Sequence, residues 1–586
     1  MVAKQYRHAL STGILSCIYF IFCVNFSYAE DSNKYFKSND STVFKNINTQ
    51  SSNRNDQNPI ITVKSFDISK LEDLEEYDIS KSNLEDIISK DQKENNNRYT
   101  VDRLENLAEK LSLYYKKKGL ILTKVFFPPQ SLNKKSLYLD IVLGEIEQVS
   151  STKNEYYSEK RLTRPFKDIL NKPAYIPTLE SSLIELNKYP GITLDTHFKE
   201  GSSIGKTQID IRVKDERLSD FNFSFDNYGS EYTGSMRGLL RANFYNLADQ
   251  ADQLNINVLA TFNPTNSLYF GSSYRFKIEP YSKTPILNSI FRYGINATLG
   301  YQQTKYEAGG EIADIKYEGK ASSTYVKLDK DFILRNSYKL NSSIMLSRKV
   351  AETSQGIESS LSSPTTTKGI LSIFNWSTQV TWNDNFIAPS ATLVKFDYHQ
   401  GLPGLAGALE NDSSEINRKG IKDGEEFYAP MDYQRFNLLL SRNQGVGPYR
   451  FVSKIQSQHT NNILLPSELS NLGGAGSVRG YSNSDFSGDR TTVLSLELIG
   501  ASSARKFSLP ISDLKLAGFI DYGIGERLHP LPDEEKAAEM ISIGGYAQFL
   551  KDGSFSSKME LAIPLKEVGD SKKNGLEVLF NFERGF

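Results

Sequence analysis

The chain closes on "LEVLFNFERGF", residues 576–586. Leu576, Val578, Phe580, Phe582 and Phe586 fall on one side of an extended chain, with Glu577, Asn581 and Glu583 on the other, because successive strand side chains point to opposite faces. An apolar, aromatic face backed by carboxylates and an amide suits a strand with lipid on one side and a wet lumen on the other. Leu579 and Arg584 break the alternation, Arg584 close enough to the strand end to reach the interface. Period alone does not separate such a strand from one in a large soluble sandwich or propeller. A propeller, however, carries a repeat of roughly 40 to 50 residues, and the chain shows none.

The same texture extends back to Asp220. Period-two alternation recurs between Gly, Asn, Ser and Asp turns with almost no helical period. About sixteen strands fit between there and Phe586, an even number in the range of bacterial outer-membrane barrels. Composition agrees: 39% of the 586 residues are hydrophobic, yet 11% are aromatic, which suits many amphipathic strands better than one thick core. A formal net charge of -1 gives no basic footprint for nucleic acid.

Upstream the plan differs. Lys4, Arg7 and His8, the apolar run 13–24 and the small residues Ser27 and Ala29 read as a signal peptide over 1–29. The run is short of the roughly 20 apolar residues a spanning helix needs. Cys17 and Cys23 both lie in it, so the mature chain has no cysteine and no disulfide framework. Residues 30–58, rich in Asn, Ser, Gln, Lys and Asp, read as a linker. Two α+β modules follow, over 59–145 and 146–216. In the first, Leu104, Leu107, Leu111 and Tyr115 recur at helical spacing, lysines crowd the last turn and Gly119 stops the helix. The second repeats the scheme, with a helix expected near 156–170, another near 179–191, and two strands. The fold class is thus α+β modules followed by an all-β domain, a transmembrane antiparallel barrel over 217–586.

Catalytic signatures do not survive inspection. "GSSIGKT", residues 201–207, is one residue short of a P-loop. Residues 201–205 also match G-x-S-x-G, but both motifs need a following helix and two strands flank this stretch. His8, His197, His399, His459 and His529 are scattered, with no ligand spacing. We expect no catalytic residue, no metal and no cofactor.

One long stretch, 461–490, has neither strand nor helix period and contains "GGAGSVRGY", residues 473–481. Loops of that length are uncommon unless functional or disordered. Arg479 is then either a solvated charge on a mobile loop or a group with a fixed partner.

Together these stretches resemble the outer-membrane transporters of two-partner secretion, of the haemolysin-activator type, in the superfamily of barrels with polypeptide-transport-associated (POTRA) domains. Residues 118–149 resemble the end of the family's first POTRA module, and 225–246 its entry into the barrel. "AGFIDYGIG", residues 517–525, matches its F-x-D-x-G strand motif, and "VRGY" its loop motif. If the modules are periplasmic, strand one runs outward and the loop after strand eleven is the sixth outer loop, where the family carries VRGY.

The resemblance implies export of an unfolded partner exoprotein of adhesin, cytolysin or haem-binding type through the barrel to the cell surface. The alternative is an assembly factor for other outer-membrane proteins. It implies an inward loop whose Val478, Arg479, Gly480 and Tyr481 meet Phe519, Asp521 and Gly523, with Arg479 paired to Asp521, and Phe586 as a barrel-insertion signal. Passenger capture by β-augmentation is expected at strands bearing Leu120, Ile121 and Phe127, and Ile209, Ile211 and Val213. Lipid, lipopolysaccharide, periplasmic chaperones and the barrel-assembly machinery are the other expected partners, and nucleic acid is not one. Family members often carry a pore-plugging helix, but 30–58 shows no convincing amphipathic one, which leaves the plug open.

Overall fold

The computed structural model describes residues 60–586, apart from 72, 132–135, 231, 263–266, 279–292, 308, 310–316, 356–364, 412–417, 504–512, 552–553, 570 and 572. The expected signal peptide (1–29), linker and plug helix (30–58) lie outside the described residues. The chain divides after Glu216 into a modular unit and, from Arg217, a barrel unit.

In the modular unit, helices α1 (Lys81–Glu94) and α2 (Val101–Lys117) cover short strands. The Thr100 side chain caps α2 by accepting from the Arg103 N–H, and Leu104, Leu107, Leu111 and Tyr115 are buried as their spacing predicts. Gly119 ends the helix at φ 101°, a left-handed conformation in which a side chain would also strike the Tyr175 ring 2.7 Å away. Ser65–Asp67 pairs parallel with Ser136–Tyr138, and Lys124–Phe126 antiparallel with Asp140–Val142.

The second half of the unit is a three-stranded sheet with α3 (Glu159–Thr163) and α4 (Ile176–Leu186). Its strand order is Glu145–Thr152, Lys206–Glu216, Ile192–Glu200. The helix expected over 156–170 is reduced to α3 and one 3-10 turn, Arg164–Phe166, because Pro165 has no N–H to continue an α-helical ladder. "GSSIGKT" is the hairpin turn into Lys206–Glu216, with the Gly201 N–H donating to the Lys206 carbonyl at 2.9 Å.

The barrel unit closes from sixteen antiparallel strands. They are β1 (Ser219–Asp226), β2 (Met236–Tyr245), β3 (Gln253–Phe262), β4 (Ser267–Ile278), β5 (Ile295–Glu307), β6 (Tyr317–Leu334), β7 (Tyr338–Gln355) and β8 (Thr365–Asp384). They continue with β9 (Ser390–Gly401), β10 (Gln434–Val446), β11 (Tyr449–Thr460), β12 (Arg490–Ser503), β13 (Asp513–Glu526), β14 (Ala537–Lys551), β15 (Phe555–Pro564) and β16 (Glu577–Gly585). Closure leaves no unpaired edge, which is what lets strands cross a lipid core. The last strand pairs with the first, from Asn222 opposite Gly585 to Asp226 opposite Asn581.

Within β16 the exposed Val578 and Phe582 face outward, while Leu579, which broke the alternation, is buried on the inner face opposite Glu560. Phe586 lies outward, 69% exposed, its N–H bonded to the Phe221 carbonyl at 2.8 Å. Outward positions elsewhere are apolar, as at Leu240, Val326, Leu346, Trp376, Ile520 and Met559.

Candidate functional site

The connection between β11 and β12 is loop 6, counted on the side where odd strands end. It is not featureless, as its composition suggested. Pro466–Glu468 forms a 3-10 turn, and Ser470–Leu472 pairs with Phe486–Gly488. Loop 6 therefore has a stem, the paired segments and their flanks, and a tip between them.

The stem is fastened to its neighbours. Asp489 is fully buried, and its Oδ1 accepts from Arg418 Nη1 and from the Leu464 N–H, both at 2.7 Å. Its Oδ2 accepts from the Leu528 N–H at 2.7 Å. One carboxylate thus joins both limbs of loop 6 to loop 5, the β9–β10 connection, and to loop 7, the β13–β14 connection. Glu468, also buried, meets Lys349 Nζ of β7 at 2.6 Å and Arg435 Nη2 of β10 at 3.2 Å. Around these charges Met431 and Tyr433 of loop 5 pack with Ile463, Leu464, Leu465 and Leu469 of loop 6 against Leu371 and Ile373 of β8. None of these stem residues was singled out from the sequence. A pair such as Arg418 and Asp489, 71 positions apart, leaves no local signal.

The tip turns into the lumen, and each residue of its VRGY stretch meets the wall. Gly473 and Gly474 sit at φ 96° and 88°, and Gly480 at φ 89°, values that only glycine adopts readily. Val478 is fully buried, and a Cβ on Gly523 would lie 2.6 Å from its Cγ2, so the wall glycine makes room for the loop valine. Arg479 Nε donates to Asp521 Oδ2 and Nη2 to Oδ1, each at 2.7 Å, the planar fork that suits a carboxylate. Its guanidinium carbon stands 3.4 Å from the Phe519 ring centroid, so a cation–π contact supports the same group. Gly480 approaches Ala562 and Pro564 of β15 so closely that a Cβ would sit 3.3 Å from each. The Tyr481 hydroxyl donates to the Ile541 carbonyl at 3.0 Å or the Lys566 carbonyl at 2.9 Å, and accepts from the Ile541 N–H at 3.1 Å.

The surroundings of the fork contain residues the sequence did not point to. Arg479 Nη1 meets Glu497 Oε1 of β12 at 2.7 Å and Glu560 Oε2 of β15 at 3.5 Å. Ser495 Oγ donates to Asp521 Oδ1 at 2.6 Å, Tyr228 to Glu560 at 3.1 Å and Tyr546 to Glu497 at 3.3 Å. Lys558 Nζ lies 2.8 Å from Glu560. With Arg479 6% exposed and Asp521 fully buried, the pair is shielded from water. Loss of one partner of such a pair costs about 3–5 kcal/mol.

The expected passenger-binding strands stand differently. Ile209, Ile211 and Val213 are buried on Lys206–Glu216, the central strand, whose two edges are both taken by neighbours. They have no free edge, and that part of the expectation is corrected: hydrophobic periodicity marked the core of the sheet, not its rim. Leu120 is fully buried and bridged to Tyr175, and Phe127 packs on the first module's core. Lys124–Phe126 pairs only with Asp140–Val142, which leaves its other edge without a strand among the described residues.

Comparison with known proteins places this geometry. The family described as "Haemolysin secretion/activation protein ShlB/FhaC/HecB" matches residues 205–544, more than half of the chain, and "POTRA domain, ShlB-type" matches 66–144. The heme/hemopexin transporter protein HuxB of Haemophilus influenzae strain 86-028NP is 23% identical over 477 residues, covering 80% of this chain and 78% of the relative. The outer membrane transporter CdiB of Dickeya dadantii is 21% identical over 403 residues, 67% of this chain and 65% of the relative. In fold, the chain is similar to the solved structure of CdiB from Escherichia coli, with a TM-score of 0.68, 14% identity and 93% of each chain covered.

Proposed function

The chain belongs to the haemolysin secretion/activation family, as a two-partner secretion translocator of the outer membrane with its POTRA region in the periplasm, and from that premise we propose that the Arg479–Asp521 lock governs export. The observation that carries this reading is the guanidinium fork on a fully buried wall carboxylate, with two more carboxylates in reach. At rest the fork holds the tip of loop 6 across the lumen. An unfolded passenger entering from the periplasm displaces the tip, and the spare carboxylates Glu497 and Glu560 give Arg479 partners during the movement. The family match is to secretion proteins, and the assembly-factor alternative is not favoured.

Passenger capture uses a strand edge. Ile192–Glu200 replaces the central strand in that role: it is nine residues long and, among the described residues, pairs on one side only, with Lys206–Glu216. Its free backbone groups accept an extended segment of varied sequence. The Lys124–Phe126 edge is a second, shorter candidate. Phe586 serves as the terminal signal to the barrel-assembly machinery, chaperones deliver the chain, and lipid and lipopolysaccharide surround it; no catalytic step enters this reading.

Charge reversal tests it. Arg479→Asp and Asp521→Arg are each expected to cut the amount of exoprotein in the medium, and the double variant to restore part of it. Normal export by both single variants refutes the lock. Comparing secreted and outer-membrane proteins of wild-type and deletion strains tests the wider reading: loss of one surface protein supports it, and broad loss of outer-membrane proteins points to assembly instead.

A further inference from the structure

A row of cations runs along the inner wall of the barrel over β4 to β11 and reaches the lock at Lys454. Residues directly opposite in neighbouring strands share a face of the sheet, so the register identifies the lumen side. Asp521, which meets the inward tip, lies opposite Ser495, Ser495 opposite Lys454, Lys454 opposite Ser441 and Ser441 opposite Leu393. Lys395 and His399 follow Leu393 at even spacing and share its face. His399 lies opposite Asn375, Asn375 opposite Met345, Met345 opposite Lys327, Lys327 opposite Thr298 and Thr298 opposite Arg275. Arg275, Lys327, Lys395 and Lys454 therefore form a half-belt across β4 to β11.

Among the described residues three carboxylates of β4 to β11 share this face: Asp331, which accepts from Asn341 at 3.1 Å, and two that pair with belt cations. Asp329 meets Arg275 at 3.4 Å and Asp397 meets Lys395 at 3.0 Å. Lys327 lies within electrostatic reach of both cations and both acids, yet among the described residues it has no carboxylate within ion-pair distance. At the lock, Glu497, Asp521 and Glu560 surround Arg479 and Lys558, and Lys454 borders them within electrostatic reach of Arg479, Glu497 and Asp521.

We propose that this half-belt is the track along which the exported chain passes, and that it selects acidic, extended passenger segments. The inference rests on the translocator reading and adds the substrate class. The physics is that of charged rings in pores: cations lining a narrow, low-dielectric passage concentrate anionic groups and repel cationic ones. Mixed charge within the belt keeps binding weak enough for onward movement. The lock wall, occupied by loop 6, is left to hold the tip.

The test uses the full chain in detergent, its folding verified by the heat-dependent gel mobility of closed barrels. Two uncharged-dye-labelled 20-residue probes, alternating Glu-Ser and alternating Lys-Ser, are titrated by fluorescence anisotropy at low salt. The Glu-Ser probe is expected to bind about tenfold more tightly than the Lys-Ser probe. Lys327→Gln with Lys395→Gln is expected to abolish that preference, whereas Lys422→Gln, in loop 5 where Lys419–Lys422 pairs with Glu425–Tyr428, leaves it intact. Equal binding of both probes, binding of neither, or a preference untouched by the double substitution overturns the proposal. If the preference is absent while the deletion strain still loses a single secreted protein, the half-belt fails and the translocator reading stands.

Discussion

The tip and the stem of loop 6 are both anchored by buried arginine–carboxylate pairs, but with opposite design. At the tip, Arg479 belongs to the loop and its carboxylates to wall strands β12, β13 and β15, with left-handed glycines on either side. At the stem, the carboxylate of Asp489 belongs to the loop, and it is tied to Arg418 and to two backbone amides, inside an apolar cluster. The tip also has apolar packing, around Val478 and Tyr481, and bonds to backbone groups, so its distinction is the set of charges around Arg479. A guanidinium with three carboxylates in reach can exchange partners. The difference is one of partners: a loop carboxylate on an arginine and backbone amides at the base, a loop guanidinium among wall carboxylates at the end.

Four changes break or sharpen that contrast. A cysteine at Gly476, where a Cβ meets nothing within 4 Å, reports tip release through its reaction with an impermeant maleimide. The largest effect is expected from Arg479→Ala, which removes about 3–5 kcal/mol of tip anchoring and raises labelling at position 476 manyfold. Arg418→Ala comes next: it costs about 3 kcal/mol at the stem, seen as faster proteolysis of loops 5 and 6, while labelling at position 476 stays near wild type. Strong labelling in this variant would merge tip and stem into one unit. Gly523→Val drives a side chain into Val478 and is expected to cost about 1–3 kcal/mol by overpacking, with a moderate rise in labelling and the Arg479–Asp521 pair intact.

The smallest effect lies outside the loop, in the module sheet. Hydrogen bonding to Lys199, and then to Arg212, holds the buried Asp210 carboxyl below the usual carboxylate range. A depressed folded value means stability that is present above the unfolded carboxylate pKa of about 4 and lost as pH falls through the folded one. Amide exchange in Ile192–Glu200 and Lys206–Glu216 is therefore expected to speed up on acidification below about pH 4. Asp210→Asn removes that pH dependence at the expense of protection at neutral pH; an unchanged acid response in the variant would exclude Asp210 as its source.

Much of this arrangement was legible in the order of residues. Alternation in 576–586 placed the lipid and lumen faces of β16, with Leu579 departing from it as a buried inner-wall residue opposite Glu560. VRGY and F-x-D-x-G marked the two halves of the tip contact through short motifs with a fixed order. Glu497 and Glu560 carry no motif, and on strands that alternate polar and apolar residues they look like any other lumen-facing acid. Arg418, Glu468 and Asp489 lie in loops and were invisible because their partners are far away along the chain, and Ile209 to Val213 misled because periodicity reports burial without reporting which strand lies at the edge.

Period-two geometry and turn residues specify a barrel of about sixteen strands and the two faces of β16, and the family resemblance supplies the residues of the tip motif. The folded chain was needed to show which carboxylates surround Arg479, which loops hold the stem, which strand has a free edge among the described residues, and that cations line β4 to β11. Those are contacts between positions tens to hundreds of residues apart, set by strand register and barrel closure, and no local pattern in the chain encodes them.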